Sequence, residues 1–98
     1  MVIDYAKKYA DEVRKKYNPY AIVFFGSYIN GNPHNESDID IAVIYKGFIG
    51  DWHAVSSVLW RLCENVNLYI KPILLDAEND KSGLAENVMR TGDIIYHG

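Results

Sequence analysis

The chain has one cysteine, three prolines and no basic run longer than the triplet Arg14-Lys15-Lys16. The single thiol, Cys63, excludes an internal disulfide and fits a reducing cytoplasm. It falls in a helical pattern beside Leu59, Leu62 and Val66, which reads as a buried structural thiol rather than a nucleophile. Long apolar stretches are missing too. Ala21–Phe25 and Ile41–Tyr45 are far shorter than the roughly 20 residues of a membrane span, so no membrane contact is expected. The opening residues, Met1 to Lys7, lack a basic segment ahead of an apolar core and do not read as a secretory signal. Net charge is −3, whereas a protein that grips a long polyanion carries a basic stripe. This argues against nucleic acid as the main ligand. A nucleotide stays compatible, because a bound metal supplies the counter-charge. The three histidines, His34, His53 and His97, have no metal-ligand spacing.

What is present suits one small folded unit. The 98 residues are 49% hydrophobic and 23% charged, and predict a single domain over residues 1–98. Ile3, Ala6, Ala10, Val13 and Tyr17 recur at helical spacing, so residues 3–17 are expected to form an amphipathic helix stopped by Asn18-Pro19. Tyr20–Phe25 and Ile39–Tyr45 read as strands. Ser27–Ser37 between them is a polar loop with breakers at Gly31, Asn32 and Pro33. A second helix is expected over Asp51–Val66, with Asp51 as its N-cap and Trp52, Val55, Leu59, Leu62 and Val66 on one stripe. Leu68–Leu75 reads as a strand whose Pro72 points to an edge or a bulge. A weaker helix over Glu78–Arg90 and a short strand over Asp93–His97 close the chain. This order predicts an α/β fold, a small mixed sheet with packed helices.

The chemistry concentrates where the first two strands meet their loop. Gly26-Ser27 follows one apolar run. After ten residues, Asp38-Ile39-Asp40 opens the next. On a strand, residues i and i+2 share a face about 6.6 Å apart. Two carboxylates at ~5 Å repel by about 3 kcal/mol at an effective dielectric of 20. A hard divalent cation converts that repulsion into a site, since Mg²⁺ takes one or two carboxylates together with substrate phosphates. Gly26 allows close backbone approach, and Ser27 offers a hydroxyl and an N–H to phosphate oxygens. Taken singly, Gly-Ser and Asp-x-Asp are weak signals. In this order, each beside a strand-like run, they are far more specific.

The segment resembles the signature of the polymerase-beta-like nucleotidyltransferase superfamily, and most of all that of the minimal nucleotidyltransferases, over nearly the whole chain. Gly26, Ser27, Asp38 and Asp40 fall on the motif, and Gly31 matches a glycine often found after the Gly-Ser pair. The resemblance implies the polymerase-beta-like nucleotidyltransferase fold. It also implies Gly26 and Ser27 holding a nucleoside triphosphate, Asp38 and Asp40 binding Mg²⁺ or Mn²⁺, and a third carboxylate on a later strand. That third position aligns with Lys71, in Ile70-Lys71-Pro72. The alternative is a shifted alignment in which Asp76 is the third catalytic acid.

Two functions follow from the resemblance. One is transfer of a nucleoside monophosphate, with ATP the expected donor, to a hydroxyl acceptor. The other is a non-catalytic or weakly active binding module, the antitoxin of a pair with a helical HEPN-domain partner. The acceptor, the base and the oligomeric state, including a homo-oligomer, are left open.

Overall fold

The computed structural model describes the backbone of residues 2–25 and 39–98, and the side chains of those from Asp4 onward. Helix α1 spans Val2–Lys16, strand β1 Ala21–Phe25, strand β2 Ile39–Tyr45 and helix α2 Trp52–Cys63. Strand β3 spans Ile70–Asp76. A 3-10 turn over Ala77–Asn79 follows, then helix α3 over Leu84–Thr91 and strand β4 over Asp93–His97. The expected loop Ser27–Ser37, with Gly31 and His34, lies outside the described residues.

The sheet runs β3-β2-β1-β4. β1 pairs antiparallel with β2 and with β4, and β2 pairs parallel with β3. A parallel pair needs a long crossover, and α2 supplies it. Pro72 has no N–H to give a ladder, and it sits on the edge strand, as its chemistry requires.

Strand alternation sorts the core into two layers. Ile39, Ile41 and Val43 of β2, Ile22 and Phe24 of β1, and Ile70 and Leu74 of β3 face α1 and α2. Ala42 and Ile44, with Ala21 and Val23, face α3 through Ala85 and Val88. Asp40 shares the α3 face with Ala42 and Ile44, because its position on β2 has the same parity. This face carries the candidate site.

The helical stripe of α1 includes a residue that the sequence pattern alone did not single out. Tyr9 is fully buried, and its hydroxyl donates to the Leu59 carbonyl of α2 at 2.6 Å. Burial, with Cys63 alongside, pushes the Tyr9 hydroxyl far above the ordinary phenol range. The bond satisfies a polar tip inside an apolar layer and ties α1 to α2. Cys63 is buried, and burial likewise raises its thiol. A thiol held protonated away from solvent is a packing group, as expected.

Two expectations need correction. Trp52 is not on the buried stripe of α2. It is exposed, and packs edge-to-face on Phe48 with ring centroids 5.1 Å apart, while Leu59, Leu62 and Cys63 fill the layer. The third helix begins at Leu84, not Glu78. The Asp80 carboxylate accepts from the backbone N–H groups of Ala85 at 3.0 Å and Glu86 at 3.0 Å, and Gly83 takes a left-handed φ of 75°. These contacts fix a turn ahead of the helix. Asp51 caps α2 as expected, accepting from the Ala54 N–H at 3.1 Å.

Candidate functional site

Asp40 is the second residue of β2, and two register positions define its surroundings. Across β1 it pairs with Phe25, and across β3 with Lys71. Neighbouring strands lie about 4.8 Å apart, and in-register residues of adjacent strands share a face. Phe25 belongs with the α3-side cluster, and Lys71 alternates with Ile70 and Pro72 onto the same side as Ile73 and Leu75. Asp40 is half-buried and Lys71 is exposed. The result is a short row across three strands: an aromatic ring, a carboxylate and an ammonium. The α3 helix covers the other end of this face, over Ala21, Val23, Ala42 and Ile44.

Of the other expected site residues, Gly26, Ser27 and Asp38 lie outside the described residues. They adjoin the row in sequence: Gly26 follows Phe25, and Asp38 precedes Ile39.

Asp76 does not join this row. In the β2–β3 register it stands opposite Tyr45, five residues beyond Lys71 and thus about 16 Å along the strand. Its carboxylate is engaged in local structure. Oδ1 accepts from the Gly47 N–H at 2.9 Å and the Glu78 N–H at 2.9 Å, and Oδ2 accepts from the Phe48 N–H at 2.8 Å. Gly47 has φ 83°, a left-handed conformation that turns the chain out of β2 and brings these N–H groups round. The bonds from Gly47 and Phe48 hold the Asp76 carboxyl below its ordinary range. The residue expected as an alternative third acid thus stands away from Asp40 in the register. It clamps the β2 exit to the β3 exit, and Lys71 holds the position beside Asp40.

A stability prediction follows. Asp76 has a lowered folded-state pKa, so its contribution is present above the unfolded value and lost as pH falls through the folded one. Asp76→Ala should cost about 1–2 kcal/mol at neutral pH, the range for losing a capping carboxylate. The deficit should shrink as pH falls below about 3.9, where the wild-type carboxyl protonates in the unfolded chain and then in the folded one. Urea unfolding at pH 7 and pH 3 measures both. A deficit equal at the two pH values would remove the ionised clamp.

A surface cavity of about 710 Å³ lies beside this clamp, lined by Phe48, Trp52, Leu74, Leu75, Asp76 and Asp80 among others. Neither Asp40 nor Lys71 lines it. It belongs to the end of the sheet where β2 and β3 exit.

The donor chemistry at Asp40 fits a hard divalent cation. A carboxylate oxygen at a half-buried strand position, two residues after a second aspartate in sequence, is the ligand type that Mg²⁺ and Mn²⁺ accept. Lys71 offers no lone pair when protonated, so it adds charge to the site and no ligand.

The fold and the chain's sequence place it among known proteins. The family described as Polymerase beta, Nucleotidyltransferase matches residues 7–98, and the chain belongs to that family. Its four-stranded mixed sheet with helices on both faces is the polymerase-beta-like nucleotidyltransferase fold. A crystal structure from Sulfolobus solfataricus, described as that of a nucleotidyltransferase, superposes with a TM-score of 0.68. It shares 22% identity and covers 98% of this chain and 80% of its own. A toxin–antitoxin structure with AMP-PNP gives a TM-score of 0.62 at 23% identity, over 94% of this chain and 73% of that one. A mutant of the MntA-HpeT toxin–antitoxin, with two aspartates changed to glutamate, gives 0.61 at 21% identity, over 94% and 73%. No curated protein matches the sequence.

Phe25 is the neighbour that the motif did not assign. Its apolar character was readable, but its place beside Asp40 is a property of the β1–β2 register, which no residue spacing prints.

Proposed function

We propose that this chain is a metal-dependent nucleotidyltransferase acting on a nucleoside triphosphate, with its site at the entry of β2. The observation that carries the reading is the position of Asp40. It opens β2 on the face that α3 leaves to it, within a fold of the nucleotidyltransferase family, and the Gly-Ser and Asp-x-Asp halves of the motif flank the β1–β2 pair.

Asp40, with Asp38, would hold Mg²⁺ or Mn²⁺. The cation would contribute orientation of the triphosphate and relief of the charge developing at the α-phosphoryl group. Gly26 and Ser27 would receive the β- and γ-phosphates through backbone N–H and hydroxyl donors. Phe25 pairs with Asp40 across the β1–β2 ladder and packs on the α3-side cluster. In the transfer itself, an acceptor hydroxyl oxygen bonds to the α-phosphorus as the bond from that phosphorus to the bridging oxygen breaks. Pyrophosphate departs, and the hydroxyl proton passes to solvent. ATP is the donor we favour.

A second reading has its own observation. The position beside Asp40 on β3 carries Lys71, so the described strands put no second acid next to Asp40 to take the hydroxyl proton. That favours slow transfer, and a role as the nucleotide-binding antitoxin of a HEPN-domain partner. Two of the similar folds are toxin–antitoxin structures, which supports it.

Pyrophosphate release from ATP and Mg²⁺ separates the readings, measured with the isolated protein and with a HEPN-domain protein added. The catalytic reading expects release that depends on Asp40 and on an acceptor. Binding of the partner without any release supports the second. Neither binding nor release would contradict both.

A further inference from the structure

We infer that the end of the sheet where β2 and β3 exit is a protein-docking surface, and that its occupant is a basic segment of a partner carrying apolar side chains. Two cavities adjoin there, on either side of the 3-10 turn. One is the cavity of about 710 Å³ floored by Phe48, Trp52, Leu74 and Leu75. The other, of about 570 Å³, has Tyr20, Ala85 and Met89 as its apolar part. Asp80 lines both, so they form one continuous surface. Its apolar part is open to a partner. Ile49 is 95% exposed at the tip of the loop leaving β2, and Trp52 is 38% exposed. Trp52 is also held in place. Its ring stands edge-to-face on Phe48, which meets Tyr45 in the same way at 5.0 Å, and the Asp51 cap fixes the helix turn that carries it. A preset tryptophan beside an open cavity is the kind of residue on which protein interfaces concentrate their binding energy.

Charge identifies the occupant. Among the described residues lining the two cavities, the carboxylates of Asp76, Glu78, Asp80 and Glu86 stand against a single lysine, Lys81. Asp76 and Asp80 are committed to backbone N–H groups, but a hydrogen bond from a neutral donor leaves the carboxylate charge in place. Glu78 and Glu86 have no salt-bridge partner among the described residues. The basic residues gather on α1 instead, at Lys7, Lys8, Arg14, Lys15 and Lys16. The chain's net charge of −3 is therefore unevenly spread, and this end carries an excess of negative charge. A free nucleotide or an acidic peptide is repelled here. A segment with lysine or arginine between apolar side chains suits both parts of the surface: apolar groups enter the cavities, and ammonium or guanidinium groups reach the carboxylates and the Trp52 ring. The docking surface and the nucleotide site lie at opposite ends of β2, so a partner seated here leaves the Asp40 end uncovered.

The test uses two synthetic helical peptides as probes, one of leucine and lysine and one of leucine and glutamate in the same order. Trp60→Phe leaves Trp52 as the one tryptophan, so its emission reports the surface. The leucine–lysine peptide should shift that emission to the blue and saturate, and should bind less tightly as salt is raised. The leucine–glutamate peptide should do neither. In the Trp60→Phe background, Ile49→Ser and Glu78→Lys should each weaken binding about tenfold, the scale of a residue that matters at an interface. Both residues are exposed, so the fold should be kept, which circular dichroism checks. Asp11→Lys makes the same change of charge on α1 and should match its parent. Equal weakening by Asp11→Lys overturns the inference, because net charge alone then accounts for binding. Binding that ignores Ile49→Ser, no binding of the leucine–lysine peptide, or equal binding of the leucine–glutamate peptide overturns it too. Sedimentation of the chain alone tests a second copy as the occupant. Self-association that Ile49→Ser and Glu78→Lys both abolish assigns the surface to that copy and overturns the inference. A monomer with peptide binding as above supports it. None of these outcomes bears on the nucleotide site.

Discussion

Asp40→Asn should reduce pyrophosphate release from ATP by about a hundredfold or more, with little loss of stability. The size follows from what a carboxylate does at such a site. A metal held in place supplies several kcal/mol of charge stabilisation in phosphoryl transfer, and each 1.36 kcal/mol is tenfold in rate. Asparagine keeps the shape and one oxygen but loses the charge, so the cation is held weakly and in the wrong place. Stability should change little, because Asp40 is half-buried at the start of a strand rather than inside either core layer. Asp38→Asn should behave alike. The two variants should be compared with wild type for turnover and for thermal unfolding. Retention of full turnover by both would refute the metal assignment. A large fall in unfolding temperature would instead give Asp40 a structural role.

The largest effect on stability should come from Leu59→Ala, at about 2–5 kcal/mol. Leu59 is almost fully buried on α2, within the layer shared by α1, β2 and β3. Its carbonyl receives the Tyr9 hydroxyl at 2.6 Å and the Cys63 thiol at 3.4 Å, so the backbone around it is pinned and relaxes poorly into a void. Truncating leucine in such a place costs the lost transfer energy plus a cavity. That is a large share of the 5–15 kcal/mol typical of a domain. The effect reaches the site, because α2 is the crossover that lays β3 beside β2 and sets Lys71 against Asp40. Urea denaturation gives the value. A loss under about 1 kcal/mol would mean that α2 is not anchored through Leu59.

Much of this fold was legible in the sequence because each element carries a local signature. The stripe Ala6, Ala10, Val13 announced α1, and the run Ile39–Tyr45 announced β2 to the residue. Pro72 announced an edge strand through the N–H it lacks. The misses share a different cause. The late start of α3 depends on Asp80 bonding N–H groups five and six residues ahead, a local competition that periodicity does not register. Tyr9 looks polar at its tip, and only a carbonyl 50 residues away makes its burial affordable. Trp52 obeys the helical spacing of the buried stripe, yet it sits at the first position of α2, past the edge of the core.

The Gly-Ser and Asp-x-Asp motif can be read in the sequence, whereas the residue that stands beside Asp40 on β3 cannot. Sequence left Lys71 and Asp76 as equal claimants, because a strand boundary shifted by a few residues exchanges them. Parallel register decides only which one neighbours Asp40: Asp40 meets Lys71, and Asp76 meets Tyr45. Register is set by the packing of the Ile70 and Leu74 side chains into the α2 layer, and a one-residue slip would turn them out to the other face.

The most direct test of the account is where a nucleotide touches the protein. Amide NMR of the isotope-labelled chain, titrated with ATP and Mg²⁺, reads this residue by residue. The account predicts metal-dependent shifts concentrated at Phe25, Gly26, Ser27, Asp38, Asp40 and Lys71, with Phe48, Trp52 and Asp80 at the far cavity unmoved. Shifts centred on that cavity, or none that respond to Mg²⁺, would contradict it.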